Sequence, residues 1–192
     1  LGDVYKRQDP DGAKKLLKES GWTDTDGDGY VDKDGEKLSI NWLTYPTRLE
    51  QPKLAEYAQA TLKEIGIDVQ VNNTSDHRTF AENGDFDVYV SSTTTAPTGD
   101  PEYFFTSTVV GSKNYGKYQN DEVTKLTEKL HQTFDKDERG KLAVELQQDI
   151  LDDDAFFFVS HLNMGIVTKS NVKGMAAHPC DYYEITADLD IE

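Results

Sequence analysis

Five hydroxyls stand in a row at Ser91, Ser92, Thr93, Thr94 and Thr95, and a carboxylate follows at Asp100. A hydroxyl both donates and accepts a hydrogen bond, so such a run can hold a polar solute without forming a covalent bond to it. Phe86, Val88 and Val90 recur with a period of two ahead of the run, which predicts a strand over 86–91. Pro97, Gly99 and Pro101 end regular structure, and Asp100 is placed to cap a helix with Pro101 at its first position and Glu102 in its first turn. Polar side chains beyond a strand's carboxyl end, followed by a helix N-terminus, make the usual ligand crevice of an open α/β sheet. The same residues also serve as an ordinary strand-to-helix connection, and most such connections bind nothing. On the ligand reading Thr93, Thr94, Thr95, Pro97, Asp100, Tyr103 and Tyr115 border one concave surface, with Val88 and Val90 beneath it.

A second chemistry is offered by Asp24, Asp26, Asp28 and Asp32. With Gly29 they match positions 1, 3, 5, 9 and 6 of a calcium loop, where alternating carboxylates wrap a hard cation and the glycine allows the sharp turn. Position 12, which needs a bidentate acid, is Gly35, and Glu36 comes one residue too late. The pattern therefore fits a Gly/Asp-rich hairpin turn, which the missing acid favours, or a weak calcium site. No cofactor is otherwise required. His178 and Cys180, two apart, invite a nucleophile reading, but Pro179 lies between them and no third orienting group is evident. His161 reads as a core-edge and His77 as a surface histidine, and Asp152-Asp153-Asp154 as a solvated turn.

The framing elements follow from periodicity. Asp9-Pro10-Asp11 opens a helix with Ala13, Leu16 and Leu17 on one face, Gly21 ends it, and Trp22 packs at its exit. Leu38, Ile40 and Trp42 predict a half-buried strand, residues 52–65 a helix with Leu54, Ala58, Leu62 and Ile65 inward, and Ile67, Val69 and Val71 the next strand. A crossover of this length predicts a parallel pair. A short helix over 77–83 leads to the strand at 86–91. Two amphipathic helices follow, one burying Val123, Leu126, Leu130 and Phe134, the other Leu142, Ala143, Leu146 and Ile150, with Asp135-Lys136-Asp137 as the turn between them. Residues 156–160 and 166–169 read as strands, 170–174 as a tight connection, and the tail from Met175 has no clear period.

Composition excludes whole classes of partner. Twenty Lys+Arg against 36 Asp+Glu give a net charge of −16, so duplex nucleic acid and anionic membrane surfaces are poor partners. No apolar run approaches the roughly 20 residues of a membrane span, so insertion of this segment is not expected. One cysteine among 192 residues excludes an intrachain disulfide framework.

Taken in order, DPDGAKKLLKESGW, DTDGDG, KLSINWLTYP, LKEIGIDVQV, FDVYVSS leading to GDPEYFF, NYGKYQNDEVTKL and DKDERGKLAVELQQDILDDDAFFFVSH resemble the C-terminal part of the family 5 solute-binding proteins, the extracytoplasmic receptors of ABC importers for peptides, nickel and related solutes. The resemblance runs from about residue 9 to residue 192. It implies an α/β fold with a mixed sheet and flanking helices, the second lobe of a two-lobed, class II periplasmic-binding-protein-like clamp over residues 9–160, and a return segment to the first lobe over 161–192. It implies a small solute (a peptide or a metal chelate) and a membrane permease as partners, no catalysis, and a location in the periplasm or on a cell-surface lipoprotein. Peptide receptors of that family carry an aspartate in the loop before the helix. Here Ala96 or Pro97 stands nearest to it, as in nickel-type receptors. Leu1–Gln8 contains Asp-Val-Tyr-Lys-Arg-Gln, which one frame of a sequencing-library transposon end encodes, so a foreign segment is expected there, with the natural protein longer and its export signal upstream.

Overall fold

Asp9 starts the first helix, α1 (Pro10–Glu19), by accepting a hydrogen bond from Gly12 N at 2.8 Å. The computed structural model describes residues 9–162, 165–177 and 185–192, and the chain divides between Ser92 and Thr93 into two compact units. In α1, Ala13 and Leu17 are half-buried, but Leu16 remains 65% exposed. A two-residue hairpin follows, β1 (Asp32–Lys33) against β2 (Glu36–Lys37), closed by Asp34 and Gly35 with φ of 55° and 82°. Two successive left-handed residues give the turn whose twist suits a tight hairpin, which is why Asp-Gly occupies it.

The sheet of this first unit has β3 (Ser39–Thr44) at its centre, with β4 (Asp68–Asn73) and β5 (Val88–Tyr89) parallel to it on either side. The helix α2 (Glu50–Lys63) makes the crossover from β3 to β4, and the parallel pairing expected of it is found. Its inward contacts at Ala55 and Gln51 are fully buried, while Leu54, Ala58 and Leu62 are half-buried. Gly66 ends the crossover at φ 83°, and a Cβ there would lie 2.9 Å from Val31 Cγ1. Only glycine fits both the backbone and the neighbour. Leu43 and Val69 lie in the sheet core at 0% and 1% exposure.

The helix α3 (His77–Asn83) matches its expected bounds, but the strand expected over 86–91 is only Val88–Tyr89. Around it, Asp87 N donates to Asn41 O at 3.0 Å and Asp87 Oδ2 accepts from Asn41 N at 2.7 Å. One main-chain and one side-chain bond thus join Asp87 to Asn41 below the end of the strand.

The first helix of the second unit is α4 (Glu102–Phe104), one residue later than expected, with Pro101 in the capping position. It widens directly into a π-helical turn over Phe105–Val109. Thr106 Oγ1 and Ser107 Oγ donate back to Glu102 O and Tyr103 O at 3.1 and 2.6 Å, competing for the carbonyls of the narrower helix. Two amphipathic helices follow, α5 (Asp121–Gln132) and α6 (Lys136–Asp152). Leu130, Leu146 and Ile150 are fully buried with Phe105, Val109 and Val123, each such side chain contributing about 1.5–3 kcal/mol.

Phe134 breaks the expected face: it is 94% exposed, because α5 stops at Gln132 and Thr133 turns extended. Thr127 is buried instead, its hydroxyl donating to Val123 O at 2.8 Å. The linking turn is also shorter than expected, since Asp135 already caps α6 by accepting from Glu138 N at 2.9 Å. Residues 156–160 and 166–169 are not strands, for no partner strand lies beside them among the described residues. Phe156 instead packs edge-on against Phe104 at 5.8 Å. The segment expected as a connection holds a strand, β6 (Val172–Lys173), paired antiparallel with β7 (Asp190–Ile191) in the tail.

Candidate functional site

The loop from Thr93 to Asp100 begins the second unit, and its threonines face outward. Thr93, Thr94, Thr95 and Thr98 are exposed, whereas Pro97 is buried. Burial sets Pro97 apart from the exposed threonines with which the sequence groups it as a solute contact. Pro97 lies within a turn closed by Gly99 N donating to Ala96 O at 3.0 Å.

Asp100 anchors the far end. Its Oδ1 accepts from Glu102 N at 2.9 Å, two residues on, although the cap of α4 falls at Pro101 and not at Asp100 as expected, and both of its oxygens are taken by Arg139 of α6, Nε to Oδ2 at 2.9 Å and Nη2 to Oδ1 at 2.6 Å. Nη2 also reaches Glu102 Oε2 at 2.8 Å, and Nη1 donates to Leu130 O and Thr133 O at 2.7 and 2.5 Å. All five guanidinium N–H groups are therefore matched, on a side chain 14% exposed. Arg139 holds the Asp100 and Glu102 carboxyls below their ordinary range and is itself pushed further up by them. His131 Nδ1 completes the cluster 2.6 Å from Glu102 Oε1. Asp100, read from sequence as a solute contact, is committed to the scaffold in this arrangement.

Tyr103 is half-buried, and its Oη accepts from Lys113 Nζ at 2.9 Å, with the ammonium 5.3 Å from the ring centre. Tyr115 is half-buried in the loop ahead of α5. That loop is tied down by Tyr118, whose Oη donates to Asp153 Oδ2 at 2.5 Å, and by Asn120 Nδ2 on the same oxygen at 2.7 Å. Burial, then Asp153, pushes the Tyr118 phenol up to about 12, and Tyr118 in turn holds Asp153 low. Asp153 thus does more than solvate the end of a helix.

In the first unit the carboxyl end of the sheet carries an aromatic clamp. His77 stacks on Tyr45 at 4.1 Å and 22°, its Nδ1 lies 2.7 Å from Tyr89 Oη, and Tyr45 Oη accepts from Ser92 N at 3.1 Å. His77 is therefore half-buried rather than a surface residue, while His161, expected at a core edge, is exposed. Nearby in sequence, Thr44 Oγ1 and Gln51 Oε1 are buried with no hydrogen-bond partner among the described residues.

At the hairpin, Asp24, Asp26 and Asp28 place oxygens within 4.8 Å of one another. Their other bonds form an ordinary turn: Asp24 accepts from Gly27 N and Gly29 N at 2.7 and 3.0 Å, and Asp28 pairs with Lys37. Asp32 turns away to accept from Thr25 N at 2.8 Å. The position that needs a twelfth-place acid is Gly35, the left-handed residue of the hairpin turn. This donor set fits calcium poorly, since an ammonium already neutralises one of the three gathered carboxylates. His178, Cys180 and Leu1–Gln8 lie outside the described residues.

Residues 2–116 match the model of the bacterial extracellular solute-binding proteins, family 5, in its middle segment. The chain belongs to this family. It is 31% identical over 179 residues, 90% of its length, to the oligopeptide-binding protein AppA of Bacillus subtilis, of which it spans 33%. The solved structure of AppA in complex with a nonapeptide superposes with a TM-score of 0.77 at 29% identity, covering 90% of this chain and 35% of that one. NikA of Staphylococcus aureus in complex with Ni(L-His)2 gives a TM-score of 0.63 at 28% identity, over 74% of this chain and 29% of that one. The chain thus spans about a third of the length of the relatives it matches. The fold is that of periplasmic binding proteins, and the family is one of solute-binding transport proteins.

Neither the arginine nor the aromatic clamp is visible as a site in sequence. The available signal for Arg139 was chemical: it is one of four arginines in a chain whose cations are mostly lysine, and only arginine offers a five-donor fork.

Proposed function

We propose that this chain is the solute-facing segment of an extracytoplasmic receptor that delivers a peptide or a nickel chelate to the permease of an ABC importer. The observation that carries this reading is the likeness to AppA over 90% of the chain at a TM-score of 0.77. Thr93, Thr94 and Thr95, with Tyr103 and Tyr115, are the proposed contacts, and Asp100 acts through the position of the loop. Hydroxyls suit a receptor, because neutral donors and acceptors orient a solute and then release it unchanged. In a two-lobed clamp the remaining contacts come from the opposing lobe and affinity from hinge closure, so this chain alone is expected to bind weakly.

Calorimetry on a receptor carrying this chain, with a nonapeptide and with Ni(II)–L-histidine as probes, tests the proposal. One of the two is expected to bind, and Thr94→Val to weaken it at an unchanged melting temperature. Binding of neither, or full affinity in Thr94→Val with earlier melting, would make the loop scaffolding.

A further inference from the structure

Arg139 sits 39 residues from Asp100 in sequence, yet it joins four things at once: the loop end at Asp100, the first residue of α4 at Glu102, and the carbonyls Leu130 O and Thr133 O where α5 runs out. The last two bonds matter as much as the ion pairs. Leu130 O, which also accepts from Thr133 N at 3.2 Å, and Thr133 O, on the extended cap residue just past α5, each take a donor from this guanidinium of the next helix, so its own position is fixed on backbone at the end of α5 rather than on mobile side chains. Planarity then dictates where Asp100 lies, because Nε and Nη2 present a parallel pair of donors to its two oxygens. Asp100 in turn ends the loop that begins at Thr93, and between them Gly99 N donates to Ala96 O at 3.0 Å and Pro97 is buried.

We infer that Arg139 is a positioning residue: it transmits the fixed geometry of the α5–α6 pair to the threonine loop and so holds the loop's hydroxyls in place. The role as stated for a solute rests on the function proposed above. The mechanical part does not. Lysine cannot replace it, since three donors on a flexible stem reproduce neither the fork nor the carbonyl bonds.

Amide hydrogen exchange on the whole chain tests this without any solute. Gly99 N and Glu102 N are bonded within the loop and at its end, to Ala96 O and Asp100 Oδ1, and they report its order, while Leu130 and Leu146 amides report the helical core. Arg139→Lys and Arg139→Gln are expected to speed exchange at Gly99 and Glu102 by about tenfold or more with the core amides unchanged. Asp100→Asn is expected to do the same, and Asp100→Asn/Arg139→Gln to add little to either single change, because they break one linkage. Lys141→Gln on the same helix is the control and should change nothing. Uniform acceleration of loop and core would reduce Arg139 to a general stabiliser, and no acceleration at the loop would overturn the inference outright. Failure of the probes to bind with the exchange pattern intact would count against the solute reading alone.

Discussion

The imidazole of His77 lies flat on the ring of Tyr45, centroids 4.1 Å apart, while its Nδ1 faces Tyr89 Oη at 2.7 Å. Burial first, and Arg78 second, lower the tendency of His77 to take a proton below its ordinary value of 6.5, with Asp76 opposing. The unfolded chain therefore binds this proton at a higher pH than the folded one. Its contribution is present above pH 6.5 and is lost as the pH falls from there through the folded value. Melting curves of the wild type and His77→Phe between pH 8 and pH 5 should show the wild type losing ground below about 6.5. Parallel curves would mean that the histidine titrates freely.

Thr44 buries a hydroxyl that no protein group among the described residues satisfies. Removing an unpaired polar atom while keeping the shape is neutral or favourable, so Thr44→Val should leave stability unchanged or raise it by up to about 1 kcal/mol. A loss of more than about 1 kcal/mol in urea unfolding would show that the hydroxyl has a partner in solution.

The helical core gives a paired test. Leu146 is 0% exposed and Phe134 94% exposed, although both fall on apolar faces when read as sequence. Leu146→Ala should cost roughly 2–5 kcal/mol, and Phe134→Ser no more than about 0.5. Equal costs would restore Phe134 to the core.

The acidic hairpin is held by backbone amides and by Lys37, so it should keep its form without metal. Dialysis against a chelator is expected to leave the melting temperature where it was. A fall of several degrees would mean that an ion completes the Asp24–Asp28 cluster.

Much of the fold was legible because period dictates burial. The inward residues of α6, the parallel crossover around α2 and the bounds of α3 follow from spacing and from Gly66 and Gly84 at their ends. The failures share a cause, which is that long-range partners override local pattern. Residues 156–160 have strand composition but no strand beside them among the described residues, and Phe134 lies past a helix end that Arg139 fixes from another element. In the candidate site, the run of exposed threonines was readable from residue type. The fate of Asp100 was not, since nothing local announces a guanidinium 39 positions away.

The central claim is that the exposed face of Thr93, Thr94 and Thr95 meets solute. NMR chemical-shift mapping of this chain, titrated separately with a nonapeptide and with Ni(II)–L-histidine at millimolar concentration, tests it directly. The account predicts shifts concentrated at the amides of residues 93–95 and at Tyr103 or Tyr115 for one of the probes, with the amides of Thr124 and of Asp24–Asp28 unmoved. Shifts centred on the acidic hairpin, or none in the threonine loop with either probe, would contradict it.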